Sequence, residues 1–134
     1  MISFDVFKDG KRSALTMSYD DGTIYDIRLI EIFNKFGIKS TFHLNSGRFG
    51  FDRVVRKEDV ADLYKNHEIS VHGVLHRSLA MLPPQNILAE IFDDKRELER
   101  ICGYPVRGMS FAYGIYNKDI ISALKLCGIE YART

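Results

Sequence analysis

The sequence has 134 residues, which fits a single domain with a buried core but is short for a closed α/β barrel. Apolar residues make up 46% and charged residues 28%, so the composition excludes a disordered or fibrous chain. Nineteen basic and eighteen acidic side chains give a net charge of +1, which provides no electrostatic basis for binding nucleic acid or an anionic membrane surface.

Strand and helix patterns alternate along the first half of the chain. A strand is predicted over residues 13–19, where loosely alternating apolar residues run into an Asp-Asp-Gly turn at residues 20–22. A helix is predicted over residues 24–36, because apolar residues recur at steps of three and four and Gly37 follows at a helix end. The next predicted elements are a strand over 39–44, a helix over 57–65 and a strand over 68–72.

The same alternation continues in the second half. A long helix is predicted after Pro83 and Pro84, stopping at Gly103 and Pro105. The apolar residues predicted to share one face of this helix are Leu88, Ile91, Phe92, Leu98, Ile101 and Cys102. The remaining predicted elements are a strand over 107–111, a helix capped by Asn117 and a strand over 129–132.

Regular alternation of strands and helices predicts a parallel sheet covered by helices, either a (β/α) barrel or an open doubly wound sheet. The pattern alone favours neither. One domain is predicted over residues 1–134, and its longest irregular segment, over residues 45–56, could line a site. Residues 130–134 are typical of the opening of a strand, so we expect the domain to be incomplete in this sequence and the barrel not to close.

Two further features limit the class of protein. Cys102 and Cys127 lie far apart, each near the end of a predicted helix, so we expect two buried, reduced thiols and neither a metal-binding spacing nor a disulfide framework. No apolar run approaches the roughly 20 residues needed to cross a bilayer, and no secretory signal is visible at the start. We therefore expect a cytoplasmic protein with no membrane partner and no nucleic-acid partner.

Two adjacent carboxylates, Asp20 and Asp21, lie at the predicted end of the first strand. Where a chain turns after a strand, both side chains can approach one pocket, so that one can bind a metal while the other accepts a proton. Asp-Asp-Gly is also a common turn, and taken alone this feature favours the turn.

His72 and His76 are separated by four positions in the segment His-Gly-Val-Leu-His. This spacing places two imidazoles on the same side of a helical turn, where they can share one ion, and neutral imidazole suits Zn²⁺ and similar ions. The spacing could also be accidental, and two histidines alone bind a metal weakly. A carboxylate from another strand end would complete the three protein ligands of an open catalytic site.

The segment over residues 107–114 ends in Tyr113 and Gly114. A backbone N–H in a tight turn there could face a developing oxyanion. Tyr113 could equally be an aromatic packing residue before a turn glycine, and the segment alone does not decide between the two.

In this order, these segments resemble the NodB-homology polysaccharide deacetylases, a family of metal-dependent carbohydrate esterases. The resemblance runs from about Ser13 to Thr134. It rests on Ser-Tyr-Asp-Asp-Gly at residues 18–22, Thr-Phe at residues 41–42 and the two spaced histidines within residues 67–76. It implies a (β/α) barrel-like fold with parallel strands, incomplete in this chain.

The resemblance also implies roles for individual residues. Asp21, His72 and His76 would bind a divalent metal, with Zn²⁺ expected. Asp20 would be the general base, and the Tyr113 amide would help to stabilise the oxyanion. The implied reaction removes acetyl groups from an amino-sugar polysaccharide or oligosaccharide, with metal-activated water as the nucleophile. The implied partner is an acetylated carbohydrate.

The sequence departs from the family pattern in three places. Gly73 stands where the family has Ser or Thr after the first histidine, which removes a side-chain hydrogen bond from that loop. Ser110 replaces the arginine that orients the catalytic aspartate, and Arg107, three residues earlier, is not assigned to that role. The late histidine that serves as general acid has no counterpart, because all four histidines lie in the first 76 residues.

Two other hypotheses therefore stand beside the deacetylase. The first is a catalytically impaired module that keeps the metal and binds carbohydrate without hydrolysing it, which the missing histidine favours. The second is a structural fragment whose exposed sheet edges and apolar helix faces are covered by a second copy, forming a homo-oligomer.

Overall fold

The computed structural model of the chain describes residues 6–134. Within them, parallel strands form one curled sheet, a half-barrel, in which each strand lies beside its neighbours in sequence. The strands are β1 (Ser18–Asp20), β2 (Thr41–Leu44), β3 (Glu68–Val71), β4 (Gly108–Ser110) and β5 (Tyr131–Arg133). A doubly wound sheet reverses its strand order at one point. This sheet does not, so the barrel-like alternative is confirmed.

A helix follows each of the first four strands. The helices are α1 (Tyr25–Phe36), α2 (Lys57–Leu63), α3 (Pro84–Cys102) and α4 (Lys118–Leu126). The predicted caps are confirmed: the Asn117 side chain accepts the Ile120 N–H at 2.9 Å, and Gly37 and Gly103 end their helices at φ 66° and 76°. Glycine adopts this left-handed conformation without steric cost. None of the helices in the described residues is long and apolar enough to span a membrane.

The first strand is shorter than the prediction over residues 13–19. β1 begins at Ser18, which pairs with Thr41 at the start of β2. The Met17 carbonyl, just before β1, still accepts the N–H of Thr41 at 2.9 Å. Because β2 begins at Thr41, the residues before Met17 have no partner in β2. Strand propensity alone does not form a strand where no partner strand runs alongside.

The core lies between the sheet and the helices. Strands β2 and β3 are buried along most of their length, as expected for a parallel sheet covered by helices. The largest fully buried apolar side chains are Phe42, Leu44, Tyr64, Ile69, Ile91, Leu98, Met109 and Ile120. The packing places the carboxyl ends of the strands at one edge of the sheet, where polar side chains collect.

The face that α3 buries differs from the predicted one. Leu88 and Phe92 are predicted core residues, but they are 38% and 51% exposed. The helix instead turns two carboxylates, Glu90 and Asp94, toward the sheet, and these are 6% and 0% exposed. Amphipathic patterning assigns charged residues to solvent and misses such a face. Buried carboxylates need hydrogen-bond donors, and both find them in the loops described below.

Both cysteines are free thiols, as predicted. Cys127 is buried, whereas Cys102 is only half-buried and so more accessible than expected. Burial raises the pKa of both thiols, which keeps them protonated and unreactive at neutral pH.

Asp26 and Tyr64 form a buried pair between α1 and the chain after α2. The Tyr64 hydroxyl donates to Asp26 Oδ2 at 2.7 Å, and Asp26 is 5% exposed. Burial raises the pKa of Asp26 from 3.8 to about 6, although the hydrogen bonds from Tyr64 and Thr23 oppose the shift. The folded protein therefore holds a proton on Asp26 more strongly than the unfolded chain does.

Asp26→Asn should make stability less sensitive to pH between about 4 and 6. In the wild type, a raised folded-state pKa means that the contribution of Asp26 to the free energy of unfolding falls as the pH rises through this window. Asparagine keeps an acceptor for Tyr64 and does not titrate. The free energy of unfolding of the variant, relative to the wild type, should therefore rise by about 1 to 3 kcal/mol from pH 4 to pH 7. Urea unfolding at both pH values measures this difference, and a constant difference would show that Asp26 titrates normally.

Candidate metal centre

The predicted site residues lie at the carboxyl edge of the sheet. Asp20 is the last residue of β1 and Asp21 follows it, while His72 follows the end of β3. Parallel strands bring these ends together, because each strand runs in the same direction. His72 and His76 do not share a helical turn as the spacing predicted; the irregular loop after β3, with Gly73 and His76 at positive φ, returns His76 to the same edge.

The structure brings the three predicted metal ligands together. Asp21 Oδ1 lies 3.8 Å from His72 Nε2 and 3.4 Å from His76 Nε2. One possible ligand atom from each residue lies within 4.8 Å of the others. One carboxylate oxygen and two imidazole nitrogens form a donor set that suits Zn²⁺ and its neighbours and leaves room for further ligands.

The surroundings of the three residues also fit a cation. Asp21 Oδ1 is buried without a hydrogen-bond donor, although Arg48 Nη1 lies 3.5 Å away in an ion pair. A buried carboxylate oxygen without a donor can take an ion or a water molecule as its partner. His72 Nδ1 lies 2.8 Å from the Ser110 carbonyl oxygen. The Nδ1–H therefore donates there and leaves Nε2 as the free donor atom, as metal-binding histidines commonly do. Burial lowers the pKa of His72, which favours the neutral ring that a metal requires.

Three of the predicted site residues have a strained backbone. Asp21, His76 and Tyr113 have φ values of 76°, 57° and 62°. In the part of the chain that the structure describes, only two other non-glycine residues have a positive φ. Such conformations cost free energy, persist only where surrounding contacts enforce them, and collect at functional sites.

Buried polar groups hold the loop that carries the two histidines. The Asp94 carboxylate accepts the N–H of Ser46 at 2.7 Å and the N–H of His72 at 3.1 Å. The Asn45 side-chain amide donates to the carbonyls of His72 and Gly73 at 2.9 Å and 2.7 Å. Burial raises the pKa of Asp94 to about 7, which the donated hydrogen bonds oppose. Asp94 thus ties the loop after β2 to the loop after β3.

Glu90 compensates for the departure at Gly73. Its Oε1 accepts the Leu75 N–H at 2.6 Å, and a Cβ added at Gly73 would lie 3.3 Å from Glu90 Cγ. A serine or threonine at this position would also have to adopt the φ of 84° that Gly73 has. The carboxylate of Glu90 therefore steadies the loop from α3. Sequence reasoning missed this role, and the only available signal was two acidic residues four apart on an otherwise apolar helix face.

Gly47→Ala should weaken metal binding without touching a ligand. The Gly47 N–H donates to the Val74 carbonyl at 3.0 Å, and a Cβ at residue 47 would lie 2.9 Å from that oxygen. The histidine loop must move to relieve the contact, so the affinity for Zn²⁺ should fall about 10-fold to 100-fold. A calorimetric titration of metal-stripped protein measures the change. Arg77→Ala, at an exposed position after His76, is the control. Equal affinities for wild type and Gly47→Ala would contradict the prediction.

Asp20 stands apart from the three converging ligands. Its Oδ2 accepts the Ser110 hydroxyl at 3.3 Å, and its Oδ1 accepts a guanidinium N–H of Arg133. Arg107, the nearest arginine to the family position in the sequence, instead lies 3.6 Å from Glu130 on the surface. Sequence reasoning missed Arg133, which carries no motif of its own.

Tyr113 lies against the site through its ring. The ring packs edge-on against His76 with centroids 4.9 Å apart, and the residue is 70% exposed. This contact places Tyr113 at the rim of the three-residue cluster. A role for its amide in binding an oxyanion stays a prediction.

The two remaining histidines are not part of the three-residue cluster. His67 is buried and packs against Phe42 with ring centroids 5.4 Å apart. His43 is 1% exposed, and its Nε2 lies 3.0 Å from the Ser18 hydroxyl. Neither residue belongs to the group of side chains that could hold a metal ion.

Comparison with known proteins relates the chain to one family. The family model described as polysaccharide deacetylase matches residues 7–132. None of the curated proteins compared with the chain matches it.

Several solved structures share the fold. The deacetylase PplD of Streptococcus pyogenes, solved with acetate, is 18% identical with a TM-score of 0.80, over 84% of this chain and 52% of that chain. BC0361, a polysaccharide deacetylase from Bacillus cereus, is 16% identical with a TM-score of 0.82, over 98% and 43%. BA3943 of Bacillus anthracis, described as a CE4 family pseudoenzyme, is 21% identical with a TM-score of 0.71, over 87% and 42%. The chain thus spans about half the length of these proteins or less.

Proposed function

The chain belongs to the polysaccharide deacetylase family, and on that premise we propose that it is a metal-dependent hydrolase that removes acetyl groups from an amino-sugar polysaccharide or oligosaccharide. The observation that carries the proposal is the convergence of Asp21, His72 and His76 beside the carboxylate of Asp20, which none of the three engages. An open three-ligand site whose neighbouring carboxylate is not a ligand is an arrangement that can hydrolyse an amide.

The residues divide the work of the reaction. Asp21, His72 and His76 would hold a divalent ion, with Zn²⁺ the expected one; such an ion lowers the pKa of water and polarises a carbonyl oxygen. The Asp20 carboxylate would accept the proton that the attacking water loses. The Tyr113 amide, at the rim beside His76, would donate to the oxygen of the acetyl group as negative charge develops there.

The proposal is tested by acetate release. Metal-stripped protein, reloaded with Zn²⁺, is incubated with an N-acetylglucosamine oligomer, and free acetate is measured against the same protein without metal. We expect release that depends on the metal. The absence of release from protein that binds Zn²⁺ tightly would contradict the hydrolase.

One observation favours a second candidate, a module that binds metal and carbohydrate without turnover. The two histidines outside the metal cluster are buried, so neither can protonate the amine that leaves the substrate. This candidate predicts that the oligomer binds to the Zn²⁺-loaded protein in a calorimetric titration while no acetate appears. Light scattering over a range of protein concentrations tests the separate hypothesis of a homo-oligomer.

A further inference from the structure

The carboxylate of Asp20 is held on both oxygens by side chains from other strands. Ser110, at the end of β4, donates its hydroxyl to Oδ2 at 3.3 Å. Arg133, at the end of β5, donates a guanidinium N–H to Oδ1 across 113 positions of the sequence. β1 and β5 are the two outermost strands of the described sheet, so this contact joins its two edge strands.

Arg133 is itself fixed by a second hydrogen bond. Its Nε–H donates to the Ser18 hydroxyl oxygen at 2.9 Å. Ser18 has one hydroxyl proton, and His43 Nε2 lies 3.0 Å from its oxygen. Because Ser18 accepts from Arg133, its own proton is free to donate to His43. Asp20, Arg133, Ser18 and His43 thus form one continuous chain of hydrogen bonds.

His43 suits the buried end of this chain. It is 1% exposed, and burial lowers its pKa to about 4 although the Asp20 carboxylate opposes the shift, so the ring is neutral at pH 7 and Nε2 can accept. Because the His43 ring is neutral, it adds no second positive charge close to the Arg133 guanidinium.

The pair is poorly explained as a device for stability alone. The side chains of Arg133 and Asp20 are 39% and 31% exposed, and ion pairs with this exposure contribute little to folding. The contacts instead fix the geometry of the site. Because each oxygen of the Asp20 carboxylate has its own hydrogen-bond donor, the carboxylate is held in one orientation. Charge-assisted hydrogen bonds from a guanidinium are the stronger and more directional kind.

We propose that Arg133 is the positioning residue that orients the Asp20 carboxylate, and that Ser18 and His43 hold Arg133 in place. The inference rests on the proposed function insofar as Asp20 is the base. The orienting arginine then comes from β5, whereas Arg107 is the arginine close to the family position in the sequence. Ser110 is the second hydrogen-bond donor to Asp20.

The hydrogen bonds of the Arg133 guanidinium can be tested by NMR even if the protein shows no enzymatic activity. In ¹⁵N–¹H spectra of the full chain, Arg133 should show a protected Nε–H and separate Nη–H signals, because both ends of the group are held. Asp20→Asn should merge the Nη signals, and Ser18→Ala should expose the Nε–H. Arg107, on the surface, is the internal control. Averaged Nη signals for Arg133 in the wild type, like those of Arg107, would overturn the inference.

Turnover gives the second readout. Arg133→Gln should lower kcat for acetate release about 10-fold to 100-fold, with KM and the affinity for Zn²⁺ unchanged. Guanidinium ion at low millimolar concentration should restore part of the activity of Arg133→Ala and none to Asp20→Asn. Arg107→Gln, which removes a surface ion pair with Glu130, should match the wild type. An unchanged kcat in folded Arg133→Gln would refute the positioning role. If the wild type releases no acetate, the proposed function fails, and the spectra alone decide whether Arg133 orients Asp20.

Discussion

Asp20→Asn should lower acetate release by about 10²-fold to 10⁴-fold while leaving Zn²⁺ binding intact. The amide has nearly the shape of the carboxylate, but it keeps only one of the two oxygens that accept from Ser110 and Arg133, and it cannot take a proton from water. Asp20 lies outside the cluster of Asp21, His72 and His76, so the metal site keeps all three ligands. The measurements are initial rates of acetate release and a calorimetric Zn²⁺ titration on the same preparation.

An exposed aspartate provides a matched control for Asp20→Asn. Asp52→Asn also converts a carboxylate to an amide, but that side chain is 97% exposed and lies in the loop after β2. It should not change the rate. Equal rates for the wild type and Asp20→Asn would remove Asp20 from the mechanism.

His76→Ala should cost more than 100-fold in affinity for Zn²⁺, beyond the roughly 10-fold to 100-fold expected for an outer-shell partner. The variant leaves one carboxylate and one imidazole, and two ligands do not hold the ion against water. It also removes the ring against which Tyr113 packs, so a second variant, Asp21→Asn, is needed. Asparagine tolerates the φ of 76° at that position and removes only the charge.

The titration needs a control on the same loop. Arg77→Ala alters the exposed residue next to His76 and should bind Zn²⁺ as the wild type does. One tight site in the wild type that is lost in both ligand variants supports the three-ligand centre. Tight binding that survives both substitutions would place the metal elsewhere, and the assignment of these residues would be wrong.

The sequence predicts well what depends on neighbours in the chain. The positions of the helices follow from the spacing of apolar residues and from caps such as Gly37 and Asn117, and the structure confirms them. His72 and His76 lie in one short segment, so their proximity could be inferred before any fold was known. The choice between a barrel and a doubly wound sheet could not, because it depends on strand order, which periodicity does not encode.

Contacts between elements that are far apart in the sequence could not be predicted from it. Arg107 lies close in sequence to the expected position of an orienting arginine, but β5 brings Arg133 to Asp20 instead. In the same way, Glu90 and Asp94 follow the pattern of solvent-facing charges on α3 and yet are buried against two loops. The sequence missed both contacts because a local pattern shows which side chains are charged but not which distant groups they will meet.

The location of Arg133 on the last strand has a consequence for the order in which the protein is made. During synthesis, the segments carrying Asp20, Asp21, His72 and His76 leave the ribosome before Arg133, the residue that we propose orients Asp20. A nascent chain therefore carries the three residues proposed to bind the metal before it can align the adjacent carboxylate. Alignment of that carboxylate coincides with the docking of β5, so the reactive group is set only when the sheet it belongs to has been assembled.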